Sequence, residues 1–117
     1  MDGLSHYTQD SRPWGGFEQF TFNEQSTVKI ITVKHGEAFS LQTHAEREEF
    51  WRVLSGFGTV TLDDKQLPAK VGDSFFVPRG TAHRAEANTE DLVLLEIAFG
   101  TFDENDITRL EDRYGRV

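Results

Sequence analysis

The sequence contains no cysteine, which excludes disulfide bonds, thiolate metal sites and cysteine nucleophiles at once. This absence fits a reducing compartment, and we expect a cytoplasmic protein. The start of the chain has no basic segment followed by an apolar run, and no stretch approaches the roughly 20 apolar residues of a membrane span. The sequence therefore predicts a soluble protein with no signal peptide and no membrane partner.

Positive charge is also scarce. The chain has 12 Lys and Arg against 20 Asp and Glu, so its formal net charge is −8. Nucleic acids and anionic membranes require a cationic surface, and this balance argues against both as partners. A phosphorylated small molecule remains compatible with the sequence, because a few arginines in a pocket can outweigh the overall field locally.

The chain is rich in short β-type segments. Its 117 residues, 37% of them hydrophobic, suffice for one packed domain. We expect residues 1–11, which are polar and aperiodic, to form a flexible arm, and residues 12–117 to form a single domain. Segments rich in aromatic or β-branched residues and bounded by turns predict strands at 17–22, 28–33, 39–44, 50–54, 58–62, 74–77 and 92–99.

Short strands at such intervals predict an all-β sandwich or barrel. Only the end of the chain has a helical pattern. Ile107, Leu110 and Tyr114 repeat at intervals of three and four after the acidic segment 103–106, which can cap a helix. We therefore expect a short C-terminal helix. Hydrophobic edge strands such as 17–22 predict that two copies of the chain pair as a homodimer.

Four side chains are spaced as a candidate metal site. Gln42 and His44 are two residues apart and share one face of a strand, and a turn after them would return Glu49 over the imidazole. His83 follows a Pro-x-Gly turn in a second segment. One amide, two imidazoles and one carboxylate would form a divalent-metal site of mixed nitrogen and oxygen type. Each histidine alone is more simply an ordinary core residue, but the joint spacing favours metal.

The same residues carry a family resemblance. The chain resembles the cupin superfamily in two motifs, formed by Gly36, Gln42, His44, Glu49 and Gly56 and then by Gly72, Pro78, Gly80 and His83. This resemblance implies a double-stranded β-helix, or jelly-roll barrel, and one divalent ion (Zn, Mn, Co, Ni or Fe). Gln42 stands where cupins usually have the first histidine, so it is either a weaker ligand or a substrate contact. The alternative is a cupin whose site has become structural.

A narrower resemblance covers residues 12–117. The chain is similar to type II mannose-6-phosphate isomerases in Arg12–Gly15, Ser40–His44, Arg47, Glu49, Trp51, Ser55–Gly56 and Arg109–Arg116. In many members this cupin follows a mannose-1-phosphate guanylyltransferase, so the resemblance implies a separate guanylyltransferase as a possible partner here. It departs from the family at Ala45, Glu46 and Phe50, where members commonly have histidines.

This second resemblance implies metal-dependent conversion of mannose 6-phosphate to fructose 6-phosphate. It implies that Arg47, Arg109 and Arg116 bind the sugar phosphate and act in catalysis, with Trp51 as a further substrate contact. Glu46 is one candidate for proton transfer, and the assignment of the catalytic base stays open. The alternatives are a cupin enzyme acting on another small sugar or acid, and a non-catalytic sugar-binding cupin.

Overall fold

The computed structural model describes residues 3–117. Every regular element in this part of the chain is a β-strand. The strands are β1 Thr8–Arg12, β2 Gly15–Gln19, β3 Ser26–Val33, β4 Leu41–Thr43, β5 Glu48–Ser55, β6 Phe57–Leu62, β7 Lys65–Lys70, β8 Ser74–Val77, β9 His83–Ala87, β10 Leu92–Phe99 and β11 Thr108–Glu111.

Two antiparallel sheets face each other across one core. The first has the order β3-β10-β5-β8 and the second has the order β11-β4-β9-β6-β7. Their inner faces meet in a shared cluster to which the first sheet contributes Trp51 and Leu94 and the second Val60 and Ala85, each at most 1% exposed. The all-β jelly-roll prediction is therefore confirmed.

The inner face of β5 changes character along the strand. Glu49, Trp51 and Val53 alternate toward the interior and are all buried. The Val53 end lies in the apolar core, whereas the Glu49 end faces buried polar side chains from the opposite sheet. One end of the barrel interior is therefore filled by apolar side chains, and the other end contains polar side chains that can bind a ligand or an ion.

A tight crossing makes glycine necessary between β5 and β6. Gly56 has a φ of +87°, and a Cβ placed there would lie 1.9 Å from the carbonyl oxygen of Asp91. Neither the backbone conformation nor the space admits a side chain. The close approach allows β5 to pass directly into β6, so that one strand in each sheet is connected without a loop.

The chain before β3 packs on the outside of the first sheet. Leu4, Tyr7 and Phe20 form a second hydrophobic cluster with Phe50 and Ile97. The β1–β2 hairpin itself is exposed along nearly its whole length. Part of the predicted arm is therefore a strand. Residues 1 and 2 of that arm lie outside the described residues, and its flexibility stays a prediction, as does the division at residue 12.

The predicted C-terminal helix is wrong. Residues 108–111 form β11, which pairs with β4 through Thr108 opposite Thr43 and Arg109 opposite Gln42. The acidic segment before it forms a turn, in which the Asp106 amide donates to the Asp103 carbonyl over 3.0 Å. A three- and four-residue spacing over so few residues is a weak signal, and the free edge of β4 offered backbone partners that a local helix does not.

The sequence also failed to predict β1, β7 and β9, and β2 ends at Gln19 rather than at residue 22. No helix in residues 3–117 has the length and apolarity needed to cross a membrane.

An ion pair anchors the hairpin to the first sheet and gives a pH-dependent prediction. Arg52 donates to both carboxylate oxygens of Glu18, at 3.2 and 2.9 Å, and the hydroxyl of Tyr7 donates to Oε2 at 2.7 Å. The hydrogen bonds from Arg52 and Tyr7 lower the pKa of Glu18 to about 2. A carboxyl whose pKa is lowered by folding stabilises the fold above its ordinary pKa and loses this contribution as the pH falls through its folded value.

We expect Glu18→Gln to lower the free energy of unfolding by about 1 kcal/mol at about pH 7, since the pair is partly exposed and screened. The difference from wild type should disappear as the pH falls toward about 2. Urea titrations across this range measure both effects, with Glu90→Gln, at an exposed turn carboxylate, as the matched control. An equal cost for the two variants would contradict the anchoring role.

Candidate metal centre

Three buried side chains from both sheets converge at the polar end of the barrel. His44 directly follows β4, Glu49 lies on β5 and His83 begins β9. Their candidate ligand atoms all lie within 4.8 Å of one another. The three residues are only 2%, 1% and 1% exposed, respectively. Gln42 joins them, because it lies opposite His83 in the sheet, and cross-strand partners point to the same face.

Each imidazole is oriented by a backbone carbonyl. Nδ1 of His44 donates to the carbonyl of Asp106 at 2.6 Å, and Nδ1 of His83 donates to the carbonyl of Thr81 at 2.8 Å. These bonds place the proton on Nδ1 and leave the lone pair of Nε2 directed inward. Nε2 of His83 is buried and has no hydrogen-bond partner among the described residues. Burial lowers the pKa of His83, which favours the neutral ring that a metal ligand requires.

Glu49 supplies the negative charge of the site. Oε2 accepts from Nε of Arg47 at 2.9 Å, and Oε1 accepts from the indole of Trp51 at 3.1 Å. Burial opposes ionisation, but His83 and Arg47 together bring the pKa of Glu49 below its ordinary value. Its oxygens lie 3.4 Å from Nε2 of His44 and 3.8 Å from Nε2 of His83.

These donors fit a divalent ion. Neutral imidazole nitrogens and carboxylate oxygens are ligands that Zn, Mn, Co, Ni and Fe accept. Nε2 of His83 has no hydrogen-bond partner in residues 3–117, so its lone pair is available to such an ion. Gln42 now directs its amide nitrogen to Nε2 of His44 over 3.4 Å, while its oxygen accepts from the Ser40 hydroxyl at 2.6 Å. If the amide group of Gln42 rotated by a half-turn, its oxygen would face the candidate ligands and its nitrogen would face Ser40. The Ser40 hydroxyl could then accept a hydrogen bond from that nitrogen, because a hydroxyl both donates and accepts.

Arg47 lies against the same centre. Its Nη2 lies 3.2 Å from Nε2 of His44, its Nη1 donates to the carbonyl of Asp103 at 3.1 Å, and its guanidinium stacks 4.4 Å from the ring of Phe102. The side chain is only 7% exposed. Arg47 therefore places a permanent positive charge beside Glu49, and a metal at His44 would have to displace the bond from Nη2.

Two of the other predicted residues also lie near the centre. Trp51 is fully buried, donates to Glu49 and packs edge-on against His83 at 5.6 Å between ring centroids. Arg109 lies opposite Gln42, in the same cross-strand row as His83, and its Nε is buried without a hydrogen-bond partner in residues 3–117. Arg109 thus has an unused donor on the strand next to the candidate ligands.

The remaining two predicted residues lie elsewhere. Glu46 is exposed, and its amide donates to the carboxylate of Asp106. Arg116 forms a two-point ion pair with Asp112, at 2.7 and 3.2 Å. None of the contacts found for Arg116 connects it to His44, Glu49 or His83.

Sequence reasoning missed two residues around the centre. Glu96 lies on the inner side of β10, 6% exposed, and burial together with the charge of Glu49 raises its pKa to about 7. The signal was a single carboxylate at an alternating position in the otherwise apolar strand 92–99. Asp106 accepts a hydrogen bond from the ring of His44, whereas its place in the acidic segment 103–106 predicted only a helix cap.

The fold and the site together define a cupin. A cupin protein from Bacteroides fragilis superposes with a TM-score of 0.57 at 22% identity, covering 67% of this chain and 70% of that one. A provisionally named sugar phosphate isomerase from Acidithiobacillus ferrooxidans has a TM-score of 0.60 at 32% identity, covering 65% of this chain and 51% of that one.

The chain belongs to the family described as mannose-6-phosphate isomerase C-terminal, whose model matches residues 2–112. It is 39% identical over 108 residues to the mannose-1-phosphate guanylyltransferase ManC of Salmonella typhimurium, and 41% identical over 108 residues to the alginate biosynthesis protein AlgA of Pseudomonas aeruginosa. Each alignment covers 91% of this chain but 22% of the relative. The chain therefore spans about a fifth of the length of these curated relatives.

The geometry predicts which substitutions remove metal. We expect His83→Ala to lower the affinity for Zn²⁺ or Co²⁺ by at least about 100-fold, because it deletes a ligand rather than an outer partner. Competition titration with a chromophoric chelator measures the affinity, and circular dichroism checks the fold.

The matched control is His35→Ala, at a histidine whose side chain is 72% exposed. Glu49→Gln, which preserves the shape of the side chain, guards against a folding defect in His83→Ala. Wild-type affinity in both His83→Ala and Glu49→Gln would show that metal does not bind here.

Proposed function

We propose that the chain catalyses metal-dependent interconversion of mannose 6-phosphate and fructose 6-phosphate. The observation that carries this proposal is the enclosed set of His44, Glu49 and His83 in a chain of the mannose-6-phosphate isomerase family. Two inward-facing imidazole nitrogens and one carboxylate support a divalent ion, whose identity the ligand set leaves among Zn, Mn, Co, Ni and Fe.

The reaction moves a proton between C1 and C2 of the open-chain sugar, and negative charge develops on the neighbouring oxygens. When bound at His44, Glu49 and His83, with Gln42 as a fourth ligand, the metal ion would supply Lewis-acid stabilisation of that charge. Glu46 is one candidate for the proton carrier; because its side chain is exposed, its support is its position in the chain, two residues after His44, alone.

The substrate phosphate needs cationic donors, and the arginines supply them. Arg109 has a buried Nε that no described residue uses, and Arg47 lies at the metal ligands, so these two support a role in holding the sugar phosphate. Trp51 is proposed to act on the substrate indirectly, through Glu49 and His83, because it is fully buried. For Arg116 the support is the family resemblance of its position alone.

We also propose a cellular location, a substrate class and a partner enzyme for this reaction. We propose a cytoplasmic location from the lack of cysteine. A sugar-phosphate substrate and a separate guanylyltransferase as partner are supported by the family description and by the names of the relatives, which include guanylyltransferases and proteins of alginate and xanthan biosynthesis. These relatives are longer than this chain, so their whole activity is not transferred to it.

Turnover of mannose 6-phosphate by the purified chain, stripped with chelator and then refilled with single divalent ions, tests the function. We expect fructose 6-phosphate to form only with metal. We expect Arg109→Ala to raise KM by about 10- to 150-fold, the cost of losing a charged hydrogen bond of about 1.5–3 kcal/mol.

Arg116→Ala serves as the comparison. An equal loss would place Arg116 with Arg109 in substrate binding, and a wild-type KM would remove it from that role. Metal bound at full stoichiometry without turnover would reject the isomerase and retain the metal centre.

A second candidate is a non-catalytic sugar-binding cupin, or a cupin enzyme acting on another small sugar or acid. It is favoured by Ala45, Glu46 and Phe50, which replace histidines common in the family, and by the near-complete burial of the three metal ligands. Binding of mannose 6-phosphate without conversion would support the first form, and turnover of a different sugar would support the second.

We also propose a homodimer. The outer face of the first sheet is uncovered at its β3 edge, where Val28 and Ile30 are 58% and 66% exposed and Leu95 lies beside Ile30. Trp14 and Phe17 on the hairpin are 75% and 41% exposed. Exposed apolar side chains at this sheet edge and on the hairpin support pairing with a second copy.

We expect light scattering to give twice the mass of the chain, and Ile30→Lys to raise the dissociation constant of the dimer at least about 10-fold by placing a charge in the contact. Val71→Lys, at a residue that is 62% exposed in the turn after β7, is the control. A wild-type mass of one chain at all concentrations would disprove the dimer.

A further inference from the structure

The loop between β10 and β11, residues 100–107, lies against the metal ligands. We call it the covering loop. Three of its residues contact the centre: Asp106 accepts from His44, Asp103 accepts from Arg47, and Phe102 stacks on the Arg47 guanidinium. The position of the centre therefore depends on a segment that supplies none of the candidate ligands.

Asp106 makes the strongest of these contacts, and it makes them through two different groups. Its carbonyl oxygen accepts from Nδ1 of His44 at 2.6 Å. Its carboxylate accepts from the amide of Ala45 at 2.8 Å and from the amide of Glu46 at 2.9 Å, the two residues that follow His44. One residue thus holds both the imidazole ring and the backbone that carries it.

We propose that Asp106 is the positioning residue of the metal centre. Its carboxylate holds the covering loop to the turn after β4, and this keeps its carbonyl where it orients the ring of His44 with Nε2 directed inward. This inference deepens the proposed function, because it rests on His44 being a metal ligand. Loss of an outer-shell partner of a ligating histidine costs about 10- to 100-fold in metal affinity.

The contact has a reciprocal consequence. If the ordered loop favours metal binding through His44, bound metal must favour the ordered loop to the same extent. We therefore expect Zn²⁺ to increase hydrogen-exchange protection of the amides of Ala45 and Glu46, which lie outside the ligand set but donate to Asp106.

The experiment compares Asp106→Ala with Asp106→Asn. The amide of Asn keeps one acceptor oxygen and the shape of the side chain, so it should preserve one of the two backbone bonds, whereas Ala preserves neither. We expect Asp106→Ala to lower Zn²⁺ affinity by about 10- to 100-fold and Asp106→Asn to lie between it and wild type. The protection of Ala45 and Glu46 should fall in the same order.

Asp63→Ala is the matched control. The carboxylate of Asp63 accepts from the amide of Ala82 at 3.1 Å, next to His83, but the ring of His83 is held by Thr81. This control removes a carboxylate that binds the backbone next to His83, but it leaves the hydrogen bond of the His83 ring intact. We therefore expect the affinity for Zn²⁺ to change by less than about threefold.

The nitrogen resonances of His44 in the metal-free protein separate this proposal from the proposed function. In wild type they should report a proton on Nδ1, and in Asp106→Ala a mixture of tautomers. If wild type binds no Zn²⁺, the metal centre fails while the tautomer result still decides the role of Asp106. An unchanged tautomer and unchanged protection in Asp106→Ala would overturn the proposal.

Discussion

The arrangement of the polar end of this barrel depends on how one buried carboxylate, that of Glu49, is paired. Glu49 is 1% exposed and its pKa is held below the ordinary value, and a buried charge without partners costs several kcal/mol. One of its oxygens accepts a hydrogen bond from Arg47 and the other accepts one from Trp51. The two histidines lie beside the same carboxylate. At the polar end of the core, the negative charge of Glu49 is thus balanced by Arg47. The rest of the interior is apolar and is stabilised by close packing alone.

The sequence was sufficient for the parts of the structure that depend on local pattern. Apolar segments bounded by turns at 74–77 and 92–99 predicted β8 and β10 with the observed bounds. The spacing of the four candidate ligands predicted side chains that the fold brings together, namely Gln42, His44, Glu49 and His83. These successes share a cause: the period of a strand determines which residues share a face, and short turns limit where the next strand can lie.

The failures share a different cause. Residues 108–111 became a strand because β4 had a free edge, and β1 formed by pairing with β2, so both depend on partners that are distant in the chain or unmarked by pattern. Asp106 and Glu96 were missed for the same reason. Neither stands in a motif, and each gained its relation to His44 or Glu49 only when β10 and the covering loop were placed beside them.

The strand at the end of the chain has a consequence for how this sequence can change in length. Arg109 reaches the interior because the first residues of β11 pair with β4 so that Arg109 lies opposite Gln42, ahead of a register shift between Arg109 and Glu111. A one-residue insertion in the covering loop that slid β11 along β4 would point Arg109 outward and turn its neighbour inward. Sequences of this fold that keep an arginine here should therefore tolerate loop insertions and deletions in pairs of residues more readily than singly.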